Sequence, residues 1–317
     1  MGKKKLPKIV REIQNYPEKE VDYSYQNNVS YSQYSMFSQC PKRWALHYRD
    51  KNKIYIPSIH AIFGSALHET LQLYLETMYA KSGAEADRLN IMEIFEASLR
   101  ENYNTEYKKN QSQHFSTPVE LEEFYDDGVE IIKFFQKKRN KYFSKRGWYL
   151  VGCEVPILIP PNISYPNLLF QGYLDVVLYH EPTNTFTIID LKTSTWGWRD
   201  KEKKDENKQF QLILYKNFFA KQFGIPKESI DINFIILKRK IYESTEFPIG
   251  RIQEFKPPSG KVKTNRAIKL LNEFIDEAFN KKGYSDKEHL PNPSGWNCRF
   301  CPFSTEEKLC GLGKQFI

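Results

Sequence analysis

Asp175, Asp190 and Lys192 are the residues of this 317-residue chain whose types and spacing carry the most chemistry. Asp175 closes the run Gln171-Gly172-Tyr173-Leu174-Asp175, and the other two stand in Ile188-Ile189-Asp190-Leu191-Lys192. Both lie in short apolar runs rich in β-branched residues, the pattern of buried strands. Residues at i and i+2 of a strand face the same side, so Asp190 and Lys192 project together, and a neighbouring strand can bring Asp175 to them. Two carboxylates supply hard oxygen ligands suited to Mg²⁺ or Mn²⁺. An ammonium beside them can orient or activate water and offset charge growing on a phosphate. Together they are the equipment of metal-assisted phosphodiester hydrolysis. Singly they say little: an Asp-x-Lys strand end is ordinarily a solvated edge, and a histidine such as His68 on a largely apolar helix is ordinarily a core or surface residue.

The elements that must position these groups can be read from periodicity. Strands are expected at about 149–159, 169–180, 185–192 and 231–238, and helices at about 32–48, 59–80, 90–106, 205–223 and 261–280. Cys40-Pro41 should end or kink the first helix. Thr117-Pro118-Val119-Glu120 reads as a capping box with proline at N1, opening a long helix expected to reach Gly147. The order, helices, three strands, helix, strand, helix, predicts one α/β core with a helical preface. Residues 1 to about 30 are charged, polar and weakly periodic, and read as a tail or irregular arm.

Composition bounds the reading. With 40% hydrophobic and 15% aromatic residues, the chain can bury a full-sized core of its own. A net charge of +8 favours an anionic partner such as nucleic acid. There is no apolar run of about 18 residues, and the opening MGKKKLPKIVREIQ lacks an apolar segment behind its basic residues and a Ser or Thr at position 6. A chain without membrane, secretion or lipidation signals is expected in the cytoplasm, or in a host's cytoplasm if phage-encoded.

Taken in order, the signals resemble a known family. Asp175 followed by Asp190-Leu191-Lys192 resembles the D…(D/E)xK signature of the PD-(D/E)XK nuclease superfamily, with Leu174 where the superfamily name has proline. Gln211-Leu212-Ile213-Leu214-Tyr215 is similar to the QhxxY motif of its RecB-like branch, and Phe63-Gly64-Ser65-Ala66-Leu67-His68 resembles that branch's helix carrying a metal-binding histidine. The resemblance spans roughly positions 60 to 215. It implies a restriction-endonuclease-like core, a mixed β-sheet flanked by helices. It also implies His68, Asp175, Asp190 and the Leu191 carbonyl as metal ligands, Lys192 as the catalytic lysine, and Gln211 and Tyr215 as residues that position DNA or the lysine. Glu154, on the strand before Asp175, stands where relatives often carry a glutamate near the site. The implied activity is Mg²⁺- or Mn²⁺-dependent hydrolysis of DNA, by an exonuclease working on a free or single-stranded end in recombination, repair or phage DNA processing, with a helicase or recombination complex as partner.

Of five cysteines, Cys298 and Cys301 form a C-x2-C pair, Cys310 follows after eight residues, and Cys40 lies near the other end of the chain. Four thiolates can hold Zn²⁺ or a 4Fe-4S cluster, and spacing alone does not decide. The one-plus-three layout resembles the iron-sulfur staple of AddB-type and CRISPR-associated RecB-like nucleases, although the gap before Cys310 is long. Cys153, in an apolar strand, is expected in the core. The expected organisation is an arm at 1–30 followed by one nuclease domain: a mostly helical part at 31–147, a catalytic core at 148–285 and a cysteine-rich end at 286–317.

Two basic stretches contain aromatics. Lys137, Lys138 and Arg139 could meet phosphates, though they close a helix with an acidic start and so complement its dipole. Trp196, Trp198 and Arg199 follow the catalytic lysine closely enough to stack on or pair with DNA. Two other readings stay open: a catalytically silent DNA-binding or scaffold subunit that keeps the fold, and a zinc-stapled nuclease acting on RNA, which contacts to the 2′-hydroxyl would distinguish.

Overall fold

The computed structural model describes residues 6–16, 27–52, 54–242 and 250–315. Its centre is a mixed sheet whose three longest strands are those expected: β2 (Trp148–Ile159), β3 (Leu168–His180) and β4 (Thr185–Ser194), joined by β5 (Ile230–Lys238). Two short strands complete it. β1 (Asn27–Val29) pairs parallel with the start of β3, and β6 (Ile252–Phe255) pairs antiparallel with β5. The strand order is β1-β3-β4-β5-β6, with β2 also on β3. The β4–β5 pair is parallel and sets Asp190 opposite Phe234 and Lys192 opposite Ile236.

The topology opens a gap at the site. Antiparallel β2 holds one edge of β3 from Phe170 to His180. A strand has two edges, so β1, at Leu168–Phe170, and β4, at Val176–His180, must share the other. Between them that edge has no strand partner among the described residues, and Asp175 stands at the fork.

Helices cover both faces. On one lie α1 (Lys8–Gln14), α2 (Tyr31–Gln39) and α3 (Pro41–Trp44), which runs into a π-turn at Ala45–Arg49. On the other are α4 (Ile59–Ala80), α5 (Gly83–Asp87), α6 (Ile91–Lys109) and α7 (Pro118–Tyr142), so the expected helical preface is one wall of the sheet's second core. After β4 come α8 (Asp200–Lys204) and α9 (Glu206–Phe223), then α10 (Lys261–Ala278) after β6 and α11 (Gly295–Arg299) near the end. α9 and α10 join the first face. Among the described residues no helix is long and apolar enough to cross a membrane.

Local chemistry explains the boundaries. Thr117 Oγ1 accepts the Glu120 N–H at 3.1 Å and Pro118 opens α7 as expected, but the helix stops at Tyr142 instead of Gly147. There Phe143 turns into the core. Pro41 breaks the first helical run at Cys40, as a proline without an N–H must. The polar arm needs correction. Residues 1–5 and 17–26 lie outside the described residues, but α1 buries Val10 and Ile13, and its Gln14 Nε2 donates to the Val151 carbonyl at 3.0 Å. β1 then supplies a sheet edge. Seven-residue and three-residue elements are too short to print a period, which is why this region reads as irregular.

Candidate active site

At the fork of β3 and β4 a side chain replaces the backbone ladder. The pairing ends at Val176 with Ile189. One step further, the Leu191 N–H donates to Asp175 Oδ2 at 2.7 Å. The carboxylate is thereby fixed beside the next residues of β4. Lys192 Nζ lies 2.7 Å from Asp190 Oδ2, so the ammonium pairs directly with the buried carboxylate. His68, on α4, places Nδ1 3.7 Å from Asp175 Oδ2. Gly64, one turn earlier, faces Thr193 on β4, where a Cβ would lie 3.4 Å from Thr193 Oγ1, an ordinary contact.

Glu154 enters by a strained route. Its φ of +50° is in the left-handed region, uncommon for a residue with a side chain. Gln72 Nε2 donates to Glu154 Oε1 at 2.6 Å and to the Asp175 carbonyl at 3.0 Å. Gln72 is buried, one helical turn after His68, so a single face of α4 delivers both the imidazole and this amide clamp. Sequence reasoning missed Gln72. The available signal was a polar residue in the apolar stripe of α4, at i+4 from His68.

The electrostatics follow from burial. Burial pushes the carboxyl of Asp175 up to about 6, against the pull of Lys192 and the Leu191 N–H. Asp190 is likewise pushed up to about 6 by burial, against Lys192 and with Asp175 adding repulsion. Burial works against the charged form of Lys192, yet the two aspartates hold its pKa above the ordinary lysine value. Burial lowers the pKa of His68 and favours the neutral imidazole, the form that ligates metals. Two carboxylates whose burial outweighs the pull of the neighbouring lysine, together with a neutral imidazole, form a donor set that fits a hard divalent ion. The side chains are not gathered into a finished shell: among the described residues no group of three or more His, Cys, Asp or Glu is set to hold an ion.

Gln211 and Tyr215 stand one turn apart on α9 and hydrogen-bond to each other, and burial pushes the tyrosine hydroxyl up. The ring fits because β3 has Gly172 beneath it; a Cβ there would lie 2.7 Å from Tyr215 Cε1. Tyr31, a second residue sequence reasoning missed, donates its hydroxyl to the Asn207 carbonyl at 2.7 Å and feels both Asp190 and Tyr215.

The other candidates divide. Arg139 is committed to Asp87 at 2.8 Å, which also accepts from the Tyr74 hydroxyl at 2.6 Å, so it clamps α7 to its neighbours; Lys137 and Lys138 are exposed. Trp198 packs against Phe234 and Phe255, whereas Trp196 is exposed. Arg199 is exposed and its N–H caps on Glu202 Oε2 at 2.9 Å. Cys40, Cys298, Cys301 and Cys310 all line one small cavity. Around it the Asn292 N–H points at Cys40 Sγ at 3.4 Å, and Asn292 and Asn297 both donate to the Gln39 carbonyl. Cys153 packs against the second core, and burial, then Glu76, pushes its thiol pKa up.

The sequence profile of the PD-(D/E)XK nuclease superfamily matches residues 28–305. No curated protein matches the chain. Among solved structures, one described as a "putative exonuclease" from Eubacterium rectale superposes with a TM-score of 0.51 at 16% identity, covering 92% of this chain and 93% of that one. The fold is thus shared with that protein.

Proposed function

From the premise that this chain belongs to the PD-(D/E)XK nuclease superfamily, we propose that it is a metal-dependent DNA nuclease of the RecB-like branch, acting as an exonuclease. One observation carries the reading: the fork of β3 and β4 sets His68, Asp175 and Lys192, all partly buried, around the buried Asp190, with burial outweighing the pull of Lys192 on both carboxylates. In it His68, Asp175, Asp190 and the Leu191 carbonyl would hold Mg²⁺ or Mn²⁺. When bound, the ion supplies Lewis-acid polarisation of the phosphate and a lower pKa for water. Lys192 is held as an ammonium and steadies charge on the phosphate, the Leu191 N–H fixes Asp175, and Gln72 keeps Glu154 turned toward the site. Gln211 and Tyr215 brace β3 from α9. A histidine ligand, by resemblance, favours action on a free end, and the designation of the fold neighbour points the same way. The proposed setting is DNA recombination, repair or phage DNA processing in the cytoplasm, beside a helicase.

We further propose that the four cysteines hold a 4Fe-4S cluster, with Zn²⁺ as the alternative occupant. Support comes from their shared cavity and from the two asparagines that tie the carboxyl segment to Gln39 beside it. The test is anaerobic purification followed by incubation of end-labelled linear and closed-circular DNA with Mg²⁺, Mn²⁺ or EDTA. The proposal requires release of short products from linear DNA with metal and none with EDTA. Cleavage of the circle would remove the exonuclease assignment, and inertness toward all DNA in every metal would remove the nuclease one.

A further inference from the structure

Two aromatic rings stand stacked in solvent just beyond the carboxyl ends of the two central strands. Trp196 and Tyr242 are 45% and 62% exposed. Their centroids are 4.6 Å apart and their planes 18° from parallel. Trp196 comes four residues after Lys192, and Tyr242 four after Lys238 at the end of β5. The parallel ladder continues past both strands: the Arg239 N–H donates to the Ser194 carbonyl at 2.9 Å and the Lys240 N–H to the Thr195 carbonyl at 2.8 Å. At ~3.3 Å per extended residue, Trp196 lies within roughly 13 Å of Lys192, one to a few nucleotides from the reacting phosphate.

The turn that carries Trp196 is pinned from several sides. Ser194 Oγ accepts the Gly197 N–H and donates to the Gly197 carbonyl, both at 3.1 Å. Gly197 has a φ of +90°, and a Cβ there would sit 2.9 Å from Gln253 Oε1 and from Lys238 Cδ, so glycine is required. Gln253, on β6, accepts the Trp198 N–H at 2.7 Å and donates to the Trp198 carbonyl at 3.0 Å. The Trp198 ring is fixed between Phe234 and Phe255. One tryptophan anchors the turn and the other is displayed by it. An exposed indole on a fixed turn adds little to folding, but its ordering entropy is already lost, so a ligand meets a preorganised face.

The ligand can be named by its chemistry. Bases inside a duplex are stacked on each other, whereas an unpaired base has a free face for an aromatic side chain. Cations stand along the same segment: Lys208 Nζ lies 5.2 Å from the Trp198 ring centroid, Lys201 Nζ lies 5.7 Å from that of Trp296, and Arg199, next to Trp198, is exposed. We infer that the Trp196–Tyr242 pair is a stacking platform for an unpaired base of the strand cut at Asp175, Asp190 and Lys192, so that the substrate is single-stranded or has a single-stranded end. This rests on the nuclease reading of the same site.

The test uses the whole protein and its Trp196→Ala, Trp196→Phe and Tyr242→Ala variants. Binding to a DNA hairpin with an overhang of about ten nucleotides and to the matching blunt hairpin is measured in EDTA over a range of salt, and metal-dependent cleavage is followed in parallel. Both rings are exposed, so the variants should keep the parent melting temperature. Trp196→Ala should bind the overhang about 5- to 100-fold more weakly, Trp196→Phe less so, with the blunt hairpin unchanged. The salt slope should stay the same, because stacking releases no counterion. Undiminished overhang binding by both alanine variants, or equal loss on both hairpins, overturns the platform; if wild type still cleaves, the nuclease reading stands without it. Trp196-dependent overhang binding with no cleavage in any metal would uphold the platform and remove the nuclease reading.

Discussion

Asp190 and Lys192 act on the same phosphate if the proposed chemistry holds, and neither lies along the DNA track. Asp190→Asn and Lys192→Ala should therefore each lower cleavage by at least two orders of magnitude while equilibrium DNA binding in EDTA changes by no more than a few fold. Single-turnover rates set against binding constants check this, and near-normal turnover in either variant places the reaction elsewhere. Gln72 gives a subtler test. Its amide holds the carboxylate of Glu154, a residue with positive φ, and ties it to the Asp175 backbone. Gln72→Leu keeps the volume and removes the clamp, and should cost about 10- to 100-fold in metal affinity or rate, read from a Mn²⁺ titration of cleavage. These residues differ in how legible they were. Asp175, Asp190, Lys192 and His68 carry their chemistry in type and order, so the sequence exposes them. Gln72 has no such signature; only the strained backbone at Glu154, which no local pattern announces, shows what it is for.

At the scale of elements, legibility followed length. Strands of nine to thirteen residues and helices of eighteen or more print their period many times over, and the expected positions of β2 to β5, α4, α6, α9 and α10 agree with the structure to within a few residues. The three-residue β1 and four-residue β6 print nothing, yet β1 bounds the open edge at Asp175 and β6 supplies the Gln253 that pins the Trp196 turn. Their places are set by tertiary pairing, a long-range property. The packing of α7 on α4 and α6 is equally invisible to periodicity. It depends on Gly128, where a Cβ would lie 2.2 Å from Phe95 Cζ and 3.2 Å from Phe63 Cε2. Phe63 and Phe95 are fully buried and meet edge to face, so neither ring can swing away cheaply. Gly128→Ala should lower stability by about 1–3 kcal/mol despite alanine's better helix propensity, as seen by urea unfolding. A gain in stability would mean that α7 is free to shift. Because α4 carries His68 and Gln72, the same variant should also slow cleavage.

Over the whole molecule, the two ends of the chain are brought together by more than the cysteines. Phe37 and Trp44 both meet the His289 ring edge to face, and Asn292 and Asn297 hold the Gln39 carbonyl. His289 is buried, and burial, then the nearby Arg49 and Lys287, lowers its pKa below the ordinary histidine value. The unfolded chain therefore binds that proton more readily, so stability from this contact is full above the ordinary histidine range and declines as pH falls through it. A cluster across Cys40, Cys298, Cys301 and Cys310 would add a covalent closure of nearly the entire chain. A chain-entropy estimate for so long a loop is about 5–6 kcal/mol, comparable to the total stability of a typical domain. Changing any one of the four to serine should then bleach the protein's absorbance near 400 nm, lower the melting temperature and reduce activity through unfolding, without altering the metal dependence of the residual cleavage. Cys153→Ser, outside the cavity, should keep the colour and lose only a little packing. The docking contacts of His289, Asn292 and Asn297 do not involve iron, so the serine variants should remain folded at low temperature and fail on heating. If native protein prepared without air is colourless, carries stoichiometric zinc and still degrades linear DNA, the occupant of the cysteine cavity is reassigned while the site at Asp175, Asp190 and Lys192 keeps its role.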